Sequence, residues 1–145
     1  MFFLAHLALG LIIGKISGHY WIALIGSLAI DIDHIIPYVR HGVIFNWKKF
    51  WKTVTSADDP YGNQRNYLHS LFTWFILSAI AFLINSSVET VFSIAYLSHL
   101  VLDALDNSDF YPLYPLRFNV RGPIVYFSRA EWIITLLLFL IYFII

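Results

Sequence analysis

The hydrophobic positions of this chain form five runs, which shorter polar stretches separate. The runs cover residues 1–14, 19–36, 68–84, 88–105 and 132–145. A helix needs about 20 residues to cross a ~30 Å hydrocarbon core, and 14 residues rise only about 21 Å. We therefore predict five transmembrane helices, of which the first and last extend into flanking residues or lie partly sheltered by their neighbours. Pro37 is expected to end or kink the second helix, because proline disfavours helical geometry at the residue before it.

A short amphipathic segment lies in the first polar region, residues 38–67. Within residues 46–54, a helix would place Trp47, Phe50, Trp51 and Val54 on one side and Lys48, Lys49 and Lys52 largely on the other. Aromatic residues opposite lysines are typical of a helix that lies in the membrane interface. The second polar region, residues 106–130, contains three prolines and is predicted to be a loop.

The composition agrees with a single membrane domain over residues 1–145. Hydrophobic residues make up 59% of the chain and charged residues 12%, and the mean hydropathy is +0.71. Soluble domains carry about 25% charged residues, so we predict an all-α, multi-pass helical bundle. The net charge is zero, which suggests no nucleic-acid partner. Since there is no cysteine, disulfides, thiolate zinc sites and a cysteine nucleophile are excluded.

Basic residues predict the orientation of the chain in the membrane. With five spans, eight of the nine lysines and arginines fall on the side of the N-terminus and the two polar regions, and only Lys15 falls on the other side. Such an excess marks the cytoplasmic side. We predict a protein of the inner, or plasma, membrane with a cytoplasmic N-terminus and an uncleaved first helix.

Histidine and aspartate residues occur near the predicted cytoplasmic ends of four of these helices. They are His6 in the first, Asp31, Asp33 and His34 in the second, His69 at the start of the third, and His99, Asp103 and Asp106 in the fourth. An ionised group inside the bilayer costs about 2.5–3.5 kcal/mol on insertion scales, so a bound cation is the simplest compensation. Imidazole and carboxylate ligands without thiolate suit zinc, manganese or iron(II), and several carboxylates could hold two ions.

The helical spacings divide these residues. His99 and Asp103 share one helix face at i, i+4, and Asp106 continues this face at i+3 from Asp103. Asp31 and His34 share a face at i, i+3. Asp33 points about 200° from Asp31 on a regular helix. Asp33 can bind the same ion as Asp31 and His34 if the segment near Pro37 is unwound. Otherwise it binds a second ion, or it orients a metal ligand by hydrogen-bonding to it without contacting the ion.

Simpler interpretations remain open for individual residues. His6 alone could be a hydrogen-bonded packing residue. The pair His99 and Asp103 could form an internal salt bridge, and Asp31 could relay protons.

Taken in order, four motifs resemble a known family. They are His6, Gly26-x4-Asp31-x-Asp33-His34, Arg65-x3-His69-Ser70 and Ser98-His99-x3-Asp103, and residues 113–116 extend the match. The sequence resembles the LexA-regulated inner-membrane metal-dependent hydrolases and their archaeal relatives, and more distantly the zinc-dependent phospholipase C enzymes. The resemblance implies a metal-binding set of His6, Asp31, His69, His99 and Asp103. The chain departs from the family pattern at Ile30, Gln64 and Leu68, where relatives have proline, histidine and threonine. If the histidine that Gln64 replaces is a ligand or catalytic base in relatives, this chain could bind fewer ions or be inactive.

We therefore expect a membrane-bound hydrolase of a lipid phosphoester, whose site meets lipid headgroups on the cytoplasmic side. Its cofactor would be a divalent metal, zinc before manganese or iron. Asp33 or His34 would act as general base or as an orienting residue, and Arg65, Arg117 and Arg121 would bind phosphate. The alternative is a non-enzymatic membrane subunit: a haem-binding or proton-relay component, or a degenerate family member, in a homo-oligomer or a membrane complex.

Overall fold

The computed structural model describes residues 3–56, 65 and 67–145, and regular structure in this part of the chain is helical. The α-helices are α1 (Phe3–Ser17), α2 (Tyr20–Leu28), α3 (Ile32–Arg40), α4 (Trp47–Thr55), α5 (Leu71–Ile84), α6 (Ser86–Leu105) and α7 (Arg129–Ile144). A 3₁₀ turn, Ala29–Asp31, joins α2 to α3. The predicted all-α fold is confirmed.

The long helices pack side by side as a bundle. Helix α2 lies against α1 and α6, α5 lies against α6, and α7 lies against α1. The Lys15 ammonium donates a 3.0 Å hydrogen bond to the Tyr142 carbonyl, which places the C-terminal ends of α1 and α7 at the same end of the bundle. Helices α1 and α7 therefore run in the same direction, as the alternation of five hydrophobic runs predicts.

The surface of the bundle is strongly apolar, as a membrane protein requires. Trp21 is 79% exposed and Leu83 is 84% exposed. Two continuous helical stretches, Tyr20–Arg40 and Ser86–Leu105, are long and apolar enough to cross a membrane, whereas α1 and α5 are apolar but shorter. Five spans therefore stay a prediction, and two are supported by length and composition.

The break in the second hydrophobic helix lies earlier than predicted. The chain tightens into the 3₁₀ turn at Ala29–Asp31 and then continues as an α-helix through Pro37 to Arg40. Proline removes only one backbone donor from α3, and the helix continues beyond it. The prediction that Pro37 ends the helix was wrong, while a kink at Pro37 stays a prediction. The irregular geometry lies instead at Ala29–Asp31 and includes the first aspartate of the motif.

Glycine allows α2 to approach α6 closely beside this turn. A Cβ atom built on Gly26 would lie 2.8 Å from the Phe92 carbonyl oxygen and 2.9 Å from the Ala95 Cβ. Small residues commonly permit such contacts between membrane helices. Gly26 therefore sets the distance between α6, which carries His99, and α2, which leads into the turn that contains Asp31.

The predicted amphipathic helix is present as α4. The Asn46 side chain caps its first turn by accepting a hydrogen bond from the Lys49 amide, and Trp47 and Trp51 are exposed. The Tyr126 hydroxyl donates to the Val54 carbonyl at 2.7 Å, which ties the helix to the loop before α7. Its position in the membrane interface stays a prediction.

Candidate metal centre

The histidines and aspartates that the sequence singled out meet at one end of the bundle. His6 comes from α1, Asp31 from the 3₁₀ turn, His69 from the residues before α5, and His99 and Asp103 from α6. The side chains of His69 and His99 are 0% exposed and that of Asp103 is 1% exposed, whereas that of Asp31 is 24% exposed. The cluster is thus buried on all sides but one, where Asp31 and its neighbour His34 form an open edge.

Two imidazole nitrogens of this cluster lie close to each other and to an oxygen of each of two carboxylates. The His99 Nε2 lies 3.3 Å from the Asp103 Oδ2, 3.6 Å from the Asp31 Oδ1 and 3.3 Å from the His69 Nε2. The His69 Nε2 lies 3.4 Å from the Asp103 Oδ2 and 3.7 Å from the Asp31 Oδ1. Ligands at ~2.0–2.2 Å from a tetrahedral ion are about 3.3–3.6 Å apart. These spacings fit one ion of the size of zinc.

Hydrogen bonds behind the two imidazoles fix which nitrogens face this point. The His99 Nδ1 lies 2.7 Å from the Ser27 carbonyl oxygen, and because a carbonyl only accepts, this nitrogen carries the proton. The His69 Nδ1 lies 3.2 Å from the Asp33 Oδ2, which also accepts the Leu68 amide at 2.7 Å. Carbonyls and carboxylates hold metal-binding histidines in this way.

The arrangement would be unfavourable without a cation. When each imidazole is neutral and donates through Nδ1, the two Nε2 lone pairs face each other and two carboxylate oxygens at 3.3–3.7 Å. A divalent ion removes this repulsion, and a proton on one imidazole removes part of it.

His6 lies on the other side of Asp103. Its Nε2 is 3.4 Å from the Asp103 Oδ1, and its ring stacks on that of His99 with centroids 3.8 Å apart. Two overlapping groups could therefore hold a metal ion: Asp31, His69 and His99, and His6, His99 and Asp103.

Arg65 reaches the cluster from the polar region between α4 and α5. Its Nη2 lies 3.0 Å from the Asp106 Oδ2 and 3.3 Å from the Asp103 Oδ1, and the residue is buried. Burial disfavours the charge, but the two carboxylates outweigh it and raise the pKa of the Arg65 guanidinium. Asp106, expected on the metal-binding face of α6, thus pairs with Arg65.

The structure separates the other predicted residues by distance from the cluster. Asp33 is 6% exposed behind His69, and the His34 Nε2 lies 3.4 Å from the Asp31 Oδ1 at the open edge. Arg117 and Arg121 lie exposed in the loop between α6 and α7, where Arg121 pairs with Asp109 at 2.6 Å. Gln64, where relatives have histidine, lies outside the described residues.

Two supporting contacts were not anticipated from the sequence. One is the Ser27 carbonyl, a backbone group that carries no residue-type signal. The other is Tyr96, whose hydroxyl donates to the Leu68 carbonyl and so holds the peptide that precedes His69. A tyrosine in an apolar helix gives no indication of this role, because it depends on which segment packs against it.

Comparison with known proteins gives one match over the whole chain. The family described as YdjM inner membrane protein matches residues 1–145. No curated protein and no solved structure matches the chain.

Proposed function

The chain belongs to the YdjM inner membrane protein family, and we propose that it is a metal-dependent hydrolase embedded in that membrane, acting on a lipid phosphoester. The family match confirms the predicted location and the resemblance to inner-membrane proteins, while the orientation stays a prediction. The observation that carries the proposal is a set of four ligand atoms in which the two imidazole nitrogens lie 3.3–3.7 Å from each other and from two carboxylate oxygens. A hydrogen-bond partner on the Nδ1 side of each imidazole fixes its orientation.

A divalent ion in this centre, zinc in preference to manganese or iron, would supply Lewis acidity that lowers the pKa of water and polarises a phosphoryl oxygen. The chain's own residues have distinct tasks. Asp33 orients His69 by accepting from its Nδ1. His34 lies beside Asp31 at the open edge, within reach of an incoming ligand, and is the candidate general base or acid.

The substrate class follows from the depth of the centre. The cluster lies at the end of the bundle near α4, whose exposed tryptophans and three lysines suit the headgroup region of an anionic bilayer. A ring contact links the two regions, since Tyr38 packs edge-to-face against Phe50 of α4 and stacks near His34. A phosphoester headgroup would meet the centre through this edge. Of the three arginines proposed to bind phosphate, Arg65 is the one within the cluster.

The test uses protein purified in mild detergent. Metal content is measured first, followed by release of phosphate or alcohol from defined lipid phosphoesters, with and without chelator. We expect bound metal and a chelator-sensitive activity, both lost in His99→Ala and retained in His19→Ala, an exposed histidine away from the cluster. Metal-free wild-type protein, or activity that His99→Ala leaves intact, contradicts the proposal.

The alternative of a non-enzymatic subunit makes different predictions. For haem, two axial histidines must approach the iron from opposite faces of the porphyrin, whereas the Nε2 atoms of His69 and His99 are 3.3 Å apart beside carboxylates. A Soret band in the purified protein would nevertheless favour that function. Bound metal without any hydrolysis would favour a degenerate family member.

A further inference from the structure

We propose that the centre binds a single divalent ion, and that the guanidinium of Arg65 occupies the place where a second ion would bind. The inference rests on the proposed metal site and specifies how many ions that site takes. Two-metal phosphoesterases use a bridging carboxylate, with one ion on each of its oxygens. Here one of those two positions is taken by a residue of the chain.

Asp103 presents its two oxygens to two different environments. Its Oδ2 lies 3.3 Å from the His99 Nε2 and 3.4 Å from the His69 Nε2, on the side of the four-atom set. Its Oδ1 lies 3.4 Å from the His6 Nε2 and 3.3 Å from the Arg65 Nη2. Asp103 is therefore positioned as a bridge, with a metal site on one side and a fixed cation on the other.

The second side carries the types of ligand that a second ion would use. His6, Asp103 and Asp106 supply an imidazole and two carboxylates there, and the Nη2 of Arg65 lies within 3.3 Å of both carboxylates. Arginine stays protonated in proteins, so this charge is permanent. A dication placed beside it would be repelled strongly in a buried site, where charges are poorly screened.

Arg65 can also perform one function of a second ion, which is to bind an oxygen of the substrate. Its Nη1 is buried and has no hydrogen-bond partner within the described part of the chain. Arginine binds phosphate oxygens through such N–H groups. Arg65 can therefore neutralise Asp103 and Asp106 through one nitrogen and donate to a substrate oxygen through the other, as a second metal ion would.

The test counts ions and measures whether they are coupled. Wild-type protein, Arg65→Met and Arg65→Lys are depleted of metal, saturated with Mn²⁺ and analysed by mass spectrometry and electron paramagnetic resonance. We expect one ion per chain and an uncoupled six-line spectrum for wild type and for Arg65→Lys, which keeps the charge. Arg65→Met should bind up to two ions and show exchange coupling between them.

The outcomes separate this inference from the proposed function. Two coupled ions in wild type, or one ion in a folded Arg65→Met, overturn the role of Arg65 and leave a metal hydrolase intact. No ion in wild type refutes the metal site itself. If Arg65→Met does not fold, two ions in Arg65→Lys or in wild type still overturn the inference, and one ion in both supports it.

Discussion

Replacing Gly26 by alanine should weaken the metal centre without touching any of its ligands. The new Cβ would lie 2.8 Å from the Phe92 carbonyl oxygen and 2.9 Å from the Ala95 Cβ. Carbon atoms in contact normally lie about 3.5–4.0 Å apart, so α2 and α6 must separate by about 0.6–1.1 Å. Neither obstacle is a flexible side chain that could turn aside.

That separation is large compared with the tolerance of the centre. The hydrogen bond from His99 to the Ser27 carbonyl would stretch from 2.7 Å to about 3.3–3.8 Å, beyond the normal range for N–H···O. The distance from the His99 Nε2 to the Asp31 Oδ1, now 3.6 Å, would grow similarly, whereas metal sites tolerate about 0.2 Å. Losing such a supporting contact costs about 10–100-fold in metal affinity, or roughly 1.4–2.7 kcal/mol.

Competition with a fluorescent chelator measures this affinity, and thermal unfolding in detergent gives the accompanying loss of stability, expected at about 1–3 kcal/mol. The matched control is Ile25→Ala, since Ile25 is the preceding residue of α2 and is 53% exposed. It should leave metal affinity unchanged.

A second variant distinguishes the proposed cause from general damage to the fold. Gly26→Ala combined with Ala95→Gly removes one of the two clashing atoms and should recover part of the affinity. Unchanged metal binding in Gly26→Ala would refute the reasoning that helix spacing controls the centre. A loss of metal affinity that is just as large in the double variant Gly26→Ala, Ala95→Gly would also refute it.

Three further predictions concern the centre and the topology. Asp33→Asn removes the charge that orients His69 and should weaken metal binding about 10–100-fold. The control is Asp109→Asn, since the Asp109 carboxylate lies in the loop away from the cluster. Equal metal affinities of the two variants in chelator competition would contradict the orienting role of Asp33. Metal affinity should decrease as pH is lowered, since protons compete with the ion for the ligand nitrogens and oxygens, and an affinity independent of pH would argue against metal binding at this cluster. The chain has no cysteine, so single cysteines introduced by Ser87→Cys and Phe118→Cys test the orientation directly. A membrane-impermeant maleimide should label Ser87→Cys in intact cells and Phe118→Cys only after permeabilisation. The reverse labelling pattern would contradict the predicted orientation.

The sequence by itself determined the helical class and the membrane environment. Charges are too few to cover a soluble surface, and runs of apolar residues of this length can satisfy their backbone groups in lipid only as helices. It also identified the polar residues of the centre, because ionisable groups in apolar helices are costly and therefore conspicuous. The pairs Asp31 with His34 and His99 with Asp103 followed from helical periodicity alone, and they lie 3.4 Å and 3.3 Å apart.

Only the tertiary structure decided which atoms face one another. Periodicity could not place the 3₁₀ turn at Ala29–Asp31, and local signals assigned the irregularity to Pro37 instead. The Ser27 carbonyl and the pairing of Arg65 with Asp106 depend on contacts between distant segments. The periodicity of one helix determines which of its side chains share a face. The ligand distances that select an ion depend instead on how closely several helices pack, and Gly26 sets the distance between two of them.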